Sequence, residues 1–420
     1  MAQDCLKVLY VLAAPPGDNA PTIHATSIAE LMGMCGCAVL PVSLGIYRRG
    51  AGQKLVTKYR SLCFNVPRAL GFYKWQVIAK RRERKTSALA IRVFRDIYSR
   101  SAPDVVIYYG VTSLLAKAIL AQCNDDGVAV IVDETDWFKE TDSEFEKDRN
   151  NRFERIDPDA DGIIAISPFL YDHFSMNVAG DGKPVVFFMP PLNPRERPCV
   201  TAIKPREIQR ETTRFLYAGS IGGGKDQIVG FIRAILDCGD DLPTEPEMDV
   251  VGVTEKEARE ALGFLPSLEK VRFHGRQPHE KVIELLDSAD FGVLFRKPET
   301  YARAGFSTKF AECMSCGVPM ICNSVGGADA VIDPDVDGIV IPDLTKASMV
   351  HGLAKACGMD EKSLNAMKQA ALGKARDLFG MENYQRGFSS FLEKVQKAAS
   401  ARERGNKRVP VENNTVGFHD

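Results

Sequence analysis

The stretch GFSTKFAECMSCGVPMICN, residues 305–323, encodes a short helix followed directly by a buried strand. Ser307 or Thr308 is suited to the N-cap, because its hydroxyl accepts a hydrogen bond from a first-turn amide that has no partner within the helix. Gly317 is suited to the end of the helix, and the short apolar run after it is typical of a buried strand. A helix that leads into a buried strand belongs to a βαβ unit, which predicts a parallel sheet.

The same alternation of short apolar runs with longer helical patterns extends along most of the chain. We predict strands at residues 7–13, 38–42, 104–109, 128–133, 161–167, 184–188, 213–219, 248–252, 271–275, 291–295, 318–323 and 338–342. Most of these runs are continuously apolar, so helices are expected to cover both faces of each sheet. The pattern therefore predicts an α/β protein with doubly wound parallel sheets.

A proline-rich stretch, MPPLNPRERPCVTAIKPRE at residues 189–207, interrupts the alternation and is expected to be an extended linker. We therefore predict two doubly wound, Rossmann-like domains that face a cleft, at residues 1–200 and 201–378. We also expect a C-terminal helix at residues 379–400 that packs back toward the first domain. The polar, aperiodic residues 401–420 are predicted to be a disordered tail.

The composition limits the class of protein. The 420 residues are 45% apolar and 26% charged, as in soluble globular proteins, and the net charge of −1 identifies no partner. The 11 cysteines form no even framework of the kind found in small secreted domains, which favours a reducing cytoplasm. No apolar run approaches the roughly 20 residues that span a bilayer, and Pro15 and Pro16 end the first run early. We expect a cytoplasmic protein that associates with a membrane only peripherally.

The stretch FLYAGSIGGGKDQIVGFI, residues 215–232, is a buried strand, a glycine-rich turn and the start of a helix. Glycines let the backbone approach a ligand closely, and Lys225 and the helix N-terminal amides favour a bound phosphate. Gly219, Gly224 and Lys225 match most of a Walker A loop, but Asp226 stands where that loop has its magnesium-binding hydroxyl. We therefore disfavour a P-loop NTPase. Asp226 is a candidate helix cap, and a purely structural glycine turn is the alternative to a phosphate site.

Lys309 and Glu312 are three residues apart on the helix of the opening stretch and therefore share one of its faces. A simple ion pair between them is the plainest explanation. However, their neighbours Phe306, Phe310 and Met314 indicate a packed segment, in which a partly buried cation and carboxylate need further ligands. A phosphate for Lys309 and a pair of sugar hydroxyls for Glu312 would satisfy both side chains.

These segments resemble glycosyltransferase family 4 (group 1), a family of retaining glycosyltransferases with the GT-B fold. The resemblance is best over residues 214–342, where FLYAGSIGGGK, VRFHGRQPHEKVIELLDSADFGVLF, GFSTKFAECMSCGVPMICNSVGG and DGIVIPD follow one another in the family's order. It implies a site for a nucleotide diphosphate sugar, with Lys225 on the diphosphate and Glu312 on the ribose. The donor-binding residues that it implies are Gly219, Ser220, Gly224, Lys225, Gly275, Arg276, Gly305, Phe306, Ser307, Thr308, Lys309 and Glu312.

The resemblance also implies retention at the anomeric carbon, with Lys225 and Lys309 as catalytic cations and the donor's own phosphate helping to deprotonate the acceptor. It implies no cofactor and no metal ion, because fixed cations and helix dipoles take the charge that develops on the leaving diphosphate. Asp157 and Asp159 have the spacing of a metal-binding D-x-D pattern, but their position just before a buried strand favours a turn.

Two positions depart from the family pattern. Ala304 stands where the family has a glutamate that contacts the donor sugar, and Ser220 stands where an arginine commonly contacts the diphosphate. Lys309, Arg296 and Arg303 are each able to supply the missing positive charge, and the sequence does not decide among them.

The first domain is expected to receive the acceptor. The stretch VDETDWF, residues 132–138, lies at the carboxyl end of a predicted strand, where ligands bind in open α/β sheets. Glu134 and Asp136 are the candidate catalytic groups that orient or deprotonate an acceptor hydroxyl, with solvated loop acids as an equal alternative. His24 is a further acceptor-side candidate, although an isolated histidine is more often structural.

Residues 48–85 carry twelve Lys or Arg and one acid, Glu83, together with several aromatic residues. Such a surface suits an anionic membrane or a lipid diphosphate acceptor. A solvated basic face explains the charge equally well, and nucleic acid binding is disfavoured. The sequence thus predicts a hexosyltransferase-like enzyme that moves a sugar from a nucleotide sugar to a glycan or lipid-linked acceptor, in cell-surface polysaccharide or glycoconjugate synthesis. The alternatives are a non-catalytic nucleotide-sugar-binding assembly subunit and a GT-B sugar-nucleotide epimerase.

Overall fold

The computed structural model describes residues 5–13, 20–44, 83–138, 144–177, 184–192, 210–219, 226–238, 241–264 and 269–403. The chain divides into two compact units. Unit 1 comprises residues 1–194 together with residues 381–420, and unit 2 comprises residues 195–380.

Unit 1 is built on a parallel sheet of six strands in the order β2-β1-β3-β4-β5-β6. The strands are β1 (Lys7–Leu12), β2 (Ala38–Ser43), β3 (Val105–Tyr109), β4 (Ala129–Glu134), β5 (Gly162–Ala165) and β6 (Val185–Phe188). The helices between them are α1 (Ala20–Met34), α2 (Glu83–Ser101), α3 (Ser113–Asp125), α4 (Glu144–Arg155) and α5 (Pro168–Asn177). Strands β3, β4 and β5 are almost entirely buried, as expected for apolar strands that are covered on both faces.

Unit 2 has a second parallel sheet of six strands, in the order β12-β11-β10-β7-β8-β9. Its strands are β7 (Thr212–Ala218), β8 (Glu245–Val251), β9 (Val271–Gly275), β10 (Phe291–Leu294), β11 (Met320–Asn323) and β12 (Gly338–Ile341). Its helices are α6 (Val229–Asp237), α7 (Glu255–Leu262), α8 (His279–Ser288), α9 (Thr300–Ala304), α10 (Thr308–Ser315), α11 (Ala328–Val331), α12 (Lys346–Cys357) and α13 (Glu361–Phe379).

The last helix, α14 (Glu382–Glu403), belongs to unit 1 and packs on β4, β6 and α1. Phe388 and Phe391 of this helix contact Phe187 of β6, with ring centroids 5.6 and 5.3 Å apart. The approach is close at Gly162 of β5, where an added Cβ would lie 2.5 Å from Val395 Cγ2. A residue without a side chain is therefore required for α14 to lie on this sheet.

All twelve predicted strands are present near their predicted bounds, so the expected α/β fold with two doubly wound sheets is confirmed. The opening stretch also folds as predicted, because Ser307 caps α10 and Gly317 follows the helix with a φ of +68°. Of the basic segment 48–85, residues 48–82 lie outside the described residues, and so do residues 404–420 of the predicted tail.

Candidate active site

The strand order of unit 2 places two loops side by side. Strands β7 and β10 are neighbours, and the chain proceeds from them toward opposite edges of the sheet. In open α/β sheets, ligands bind outside the carboxyl ends of the strands at such a reversal. Asp226 follows β7 and Arg296 follows β10, and the two residues form an isolated antiparallel bridge. The Gln227 amide donates to the Phe295 carbonyl at 2.7 Å, which fixes the two loops to each other.

Asp226 binds two cations at this position. Its Oδ1 accepts from Arg296 Nε at 2.9 Å, and its Oδ2 accepts from Lys309 Nζ at 2.8 Å and from the Tyr217 hydroxyl at 2.9 Å. The ammonium of Lys309 also lies 5.2 Å from the centre of the Tyr217 ring. We call these four residues, Asp226, Arg296, Lys309 and Tyr217, the Asp226 cluster.

The charges of the Asp226 cluster do not cancel. Burial opposes ionisation of Asp226, but the charges of Lys309 and Arg296 outweigh it and lower the pKa of this carboxyl to about 2. Burial, together with Asp226, raises the pKa of Tyr217, so its phenol stays neutral and donates. One carboxylate therefore faces two cations, and the cluster carries a net charge of about +1. A buried site with this excess is suited to an anion.

The expectation that Asp226 caps the following helix is wrong. Helix α6 begins at Val229, its N-cap is Ile228, and no side chain caps it. The carboxylate instead points to two cations that are distant in sequence. The physical reason is that ion pairs with two cations stabilise the carboxylate more than a single hydrogen bond from a helix amide does.

Gly219, at the end of β7, lies directly against the cluster. An added Cβ at this position would lie 2.5 Å from the Tyr217 hydroxyl oxygen and 3.0 Å from Lys309 Cε. The glycine therefore leaves space for the lysine stem. The neighbouring predicted residues Ser220, Gly224 and Lys225 lie outside the described residues.

Helix α10 positions Lys309 and Glu312. The Ser307 hydroxyl accepts from the Lys309 amide at 3.4 Å, and the Ser307 amide donates to the Gly326 carbonyl at 3.4 Å. Glu312 is half-buried one turn later. The remaining predicted residues of this segment, Gly305, Phe306 and Thr308, lie between α9 and the first turn of α10, with Gly305 and Phe306 buried and Thr308 half-buried.

Ala304, which stands where the family has its first glutamate, has 0% of its surface exposed. It is the last residue of α9, so its methyl group is part of the packing between this helix and the rest of unit 2. A carboxylate at this position would be buried unless the segment moved.

The other predicted donor residues, Gly275 and Arg276, lie at the end of β9. Gly275 has a φ of +62° and exchanges backbone hydrogen bonds with Val253 and Gly252, whereas Arg276 is exposed. A pocket of ≈ 560 Å³ adjoins this turn and is lined by Thr254, Glu255, Lys256, Arg259, Phe273, His274 and Gly275. Asp249 fixes the imidazole of His274, with Nε2 2.6 Å from Oδ1.

In unit 1, the strand order reverses between β1 and β3, and His24 lies on the helix that follows β1. His24 Nε2 is 2.9 Å from Asp133 Oδ1, and the Tyr10 hydroxyl donates to Asp133 Oδ2. All three side chains are buried. Asp133 and Tyr10 are not among the residues predicted from the sequence, although Asp133 is recognisable there as a carboxylate that ends an apolar strand.

Glu134 is only 2% exposed and forms an ion pair with Arg152. The same guanidinium donates through Nε to Asp157 at 2.9 Å, and the Tyr108 hydroxyl donates to Asp157 at 2.6 Å. Burial raises the pKa of Glu134, and Arg152 counteracts this effect in part. Glu134 is thus held in a buried network rather than presented to solvent.

Asp136 is half-buried, beside the Thr135 hydroxyl at 3.4 Å, and is the most accessible of the acceptor-side carboxylates. The D-x-D pattern forms a 3-10 turn over Asp157–Asp159, as predicted. Asp157 is bound by Arg152 and Tyr108, and Asp161 accepts from the Val130 amide at 2.9 Å.

Residues 212–357 match the family model described as Glycosyl transferases group 1. This part of unit 2 is a group 1 glycosyltransferase domain. The Asp226 cluster, helix α10 and the pocket beside β9 all belong to this domain. No curated protein matches the sequence.

Three solved structures are similar in fold to most of the chain. A glycosyltransferase from Rickettsia africae ESF-5 is 13% identical, with a TM-score of 0.66, and covers 94% of this chain and 100% of its own. Sucrose-phosphate synthase from Thermosynechococcus elongatus is 15% identical, with a TM-score of 0.69 and coverage of 93% and 100%. HepE of Anabaena, solved with UDP and glucose, is 14% identical, with a TM-score of 0.64 and coverage of 92% and 99%.

At these identities the likeness concerns the fold alone, and the fold is GT-B. None of the helices in the described part of the chain has both the length and the hydropathy of a membrane span.

Proposed function

We propose that this chain transfers a sugar from a nucleotide diphosphate sugar to a glycan or lipid-linked acceptor. The observation that carries the proposal is the pair of cations, Lys309 and Arg296, at the strand reversal of a group 1 glycosyltransferase domain. A donor of this class carries a diphosphate, which requires fixed positive charge where it leaves. HepE, which has the same fold, was solved with UDP, UDP-glucose and glucose, and this supports a nucleotide sugar as donor.

We place the diphosphate near Lys309 and the first turn of α10, where the dipole of the helix favours an anion. Lys225 completes the cation set as the resemblance implies, and Glu312 is proposed to bind the ribose. Gly275 and Arg276 border the base in this proposal. Because these cations are fixed, the leaving diphosphate is stabilised without a metal ion, and transfer proceeds with retention.

The acceptor side is proposed for unit 1. Among its candidates, Asp136 presents the most accessible carboxylate, whereas Glu134 and His24 are buried against Arg152 and Asp133. We therefore assign the acceptor hydroxyl to Asp136 first. A general base must reach the proton that it removes, and a carboxylate in a closed ion pair does so only after that pair opens.

Peripheral membrane association through the basic segment 48–85 completes the proposal, with synthesis of a cell-surface polysaccharide or glycoconjugate as the setting. Vesicles that contain anionic lipid should retain the protein at low salt. A variant in which the lysines and arginines of this segment are replaced by glutamine should stay in solution. Equal retention of both proteins would remove the membrane from the proposal.

Release of nucleoside diphosphate from a panel of donors and acceptors tests the transfer. We expect Lys225→Ala and Glu312→Ala each to lower turnover by at least about a hundredfold, because each removes a direct donor contact. Glu280→Ala, at an exposed position of α8, is the matched control and should keep full turnover.

Full turnover of both site variants would contradict the assignment of the donor site. Donor binding without turnover on any acceptor would indicate the assembly-subunit alternative. Conversion of the donor without an acceptor would indicate the epimerase alternative.

A further inference from the structure

Within the described part of the chain, one side-chain donor of Arg296 has no hydrogen-bond partner. The side chain is 6% exposed, its Nε binds Asp226, and its main chain exchanges two hydrogen bonds with the Asn323 side chain, at 2.9 and 2.8 Å. Its Nη1 is buried and has no hydrogen-bond partner among the described residues. A buried guanidinium N–H without an acceptor is costly, so such groups ordinarily have a partner.

Gly326 packs closely against the guanidinium of Arg296. An added Cβ at Gly326 would lie 2.9 Å from Nη1, and this glycine has a φ of +73°. A side chain at residue 326 would therefore crowd the guanidinium and strain the backbone. The glycine therefore allows the backbone to lie directly against Arg296.

The charges of the site also favour a bound anion. Lys309 Nζ and Arg296 Nε both bind Asp226, which leaves the Asp226 cluster with an excess of about one positive charge. Arg303, the other arginine considered from the sequence, is exposed on α9. Arg296 thus has a buried donor without a partner among the described residues and belongs to a cluster with excess positive charge, whereas Arg303 is exposed.

We propose that Arg296 binds an anionic phosphate oxygen through Nη1 and so replaces the arginine that the family commonly has at the position of Ser220. The inference rests on the proposed function for the identity of the ligand, a nucleoside diphosphate. The anion contact itself is independent of sugar transfer. A guanidinium is suited to this role because its planar donors keep one N–H on Asp226 while another binds phosphate.

Calorimetric titration with inorganic pyrophosphate, and separately with UDP, tests the contact. The variants are Arg296→Gln and Arg296→Lys. The lysine keeps the positive charge beside Asp226 but lacks the planar guanidinium, whose separate N–H groups reach Asp226 and the phosphate. We expect both to bind pyrophosphate at least about tenfold more weakly than the wild type, as for loss of one charge-assisted hydrogen bond. Lys297→Gln, an exposed neighbour with the same change of charge, should bind within about twofold of the wild type.

Circular dichroism establishes whether each variant is folded. If Arg296→Gln is unfolded, the pyrophosphate affinity of Arg296→Lys alone tests the contact. Wild-type affinity in Arg296→Lys, or no pyrophosphate binding by the wild-type protein, would overturn the inference. An equal loss in Arg296→Lys and Lys297→Gln would also overturn it. A loss in Arg303→Gln alone would assign the contact to Arg303 instead.

These outcomes are separate from those of the proposed function. If pyrophosphate binding depends on Arg296 but no donor is turned over, the anion site stands and glycosyl transfer fails. If transfer proceeds equally well in Arg296→Lys, transfer stands and the role of Arg296 fails.

Discussion

Asp226 is the residue that determines the electrostatics of the second unit. It lies next to Lys225, in a turn where a negative charge is unfavourable for a phosphate site, yet its carboxylate is bound by Lys309 and Arg296. In sequence, Lys309 is 83 residues and Arg296 is 70 residues away from Asp226. Only the order of the strands brings them together. The sequence therefore indicated Lys309 and Arg296 as separate candidates, but it could not predict that both bind Asp226.

Asp226→Asn should destabilise the protein at neutral pH. The folded-state pKa of Asp226, about 2, is below its usual value of 3.8. The contribution of the carboxylate to the free energy of unfolding is therefore complete above about pH 3.8 and is lost as the pH falls through about 2. From this shift we expect the asparagine variant to be less stable by roughly 2 kcal/mol at pH 7.

Urea unfolding at pH 7 and near pH 2 measures this difference, which should be smaller in acid. The exposed Asp287→Asn is the matched control. A difference between wild type and Asp226→Asn that is the same at both pH values would contradict the ion-pair explanation.

Ala304→Glu tests whether the family's missing carboxylate has a place in this chain. Ala304 is fully buried, so an added carboxylate would be ionised without a partner or would have to be protonated. We expect a loss of stability of about 3 kcal/mol or more and no gain in donor affinity. Thermal unfolding with and without UDP checks this, and Lys297→Glu, which is exposed, serves as the control. A stable Ala304→Glu variant with tighter donor binding would show that the position is open to the donor.

The strands and the ends of α10 were predictable because they depend on local sequence. A continuously apolar run can be buried on both faces only in a covered parallel sheet, and Ser307 and Gly317 have the chemistry that helix ends require. The network of Glu134, Arg152 and Asp157 was not predictable, because α4 and the 3-10 turn bring these charges together only after folding. A charged residue in a loop has the same local signature whether it is solvated or buried in such a network.

Gly162 and Gly33 provide a matched pair for the packing of α14 on unit 1. An alanine at Gly162 would place its Cβ 2.5 Å from Val395 Cγ2 and 2.9 Å from Phe391 Cζ, so the helix or its side chains must move. We expect Gly162→Ala to lower the free energy of unfolding by about 1–3 kcal/mol.

Gly33 lies in α1, and apart from the backbone of this helix no atom of the described residues lies within 4 Å of an added Cβ. Gly33→Ala should therefore leave stability unchanged or raise it by about 0.5–1 kcal/mol. Chemical unfolding of both variants is the measurement. A Gly162→Ala variant as stable as Gly33→Ala would show that α14 does not pack tightly on β5.

The chain connects the two doubly wound units twice, because it passes to unit 2 after residue 194 and returns to unit 1 at residue 381. The resemblance to a glycosyltransferase was carried by segments of unit 2, and the family model matches the same unit, at residues 212–357. The sequence of unit 1 resembles the family more weakly. The candidate residues of unit 1 were predicted only from their position at the carboxyl ends of strands. This position indicates the edge of the sheet where a ligand binds, but it does not identify an acceptor.

We propose that unit 2 binds a nucleotide diphosphate sugar beside the Asp226 cluster. Calorimetric titration of the wild-type protein with UDP-, GDP-, ADP- and dTDP-sugars tests it most directly, with Lys309→Ala and Glu280→Ala as the site and control variants. We expect saturable binding of at least one donor, weakened by about tenfold or more in Lys309→Ala and unchanged in Glu280→Ala. Absence of binding for every donor, or equal binding by the wild type and Lys309→Ala, would contradict it.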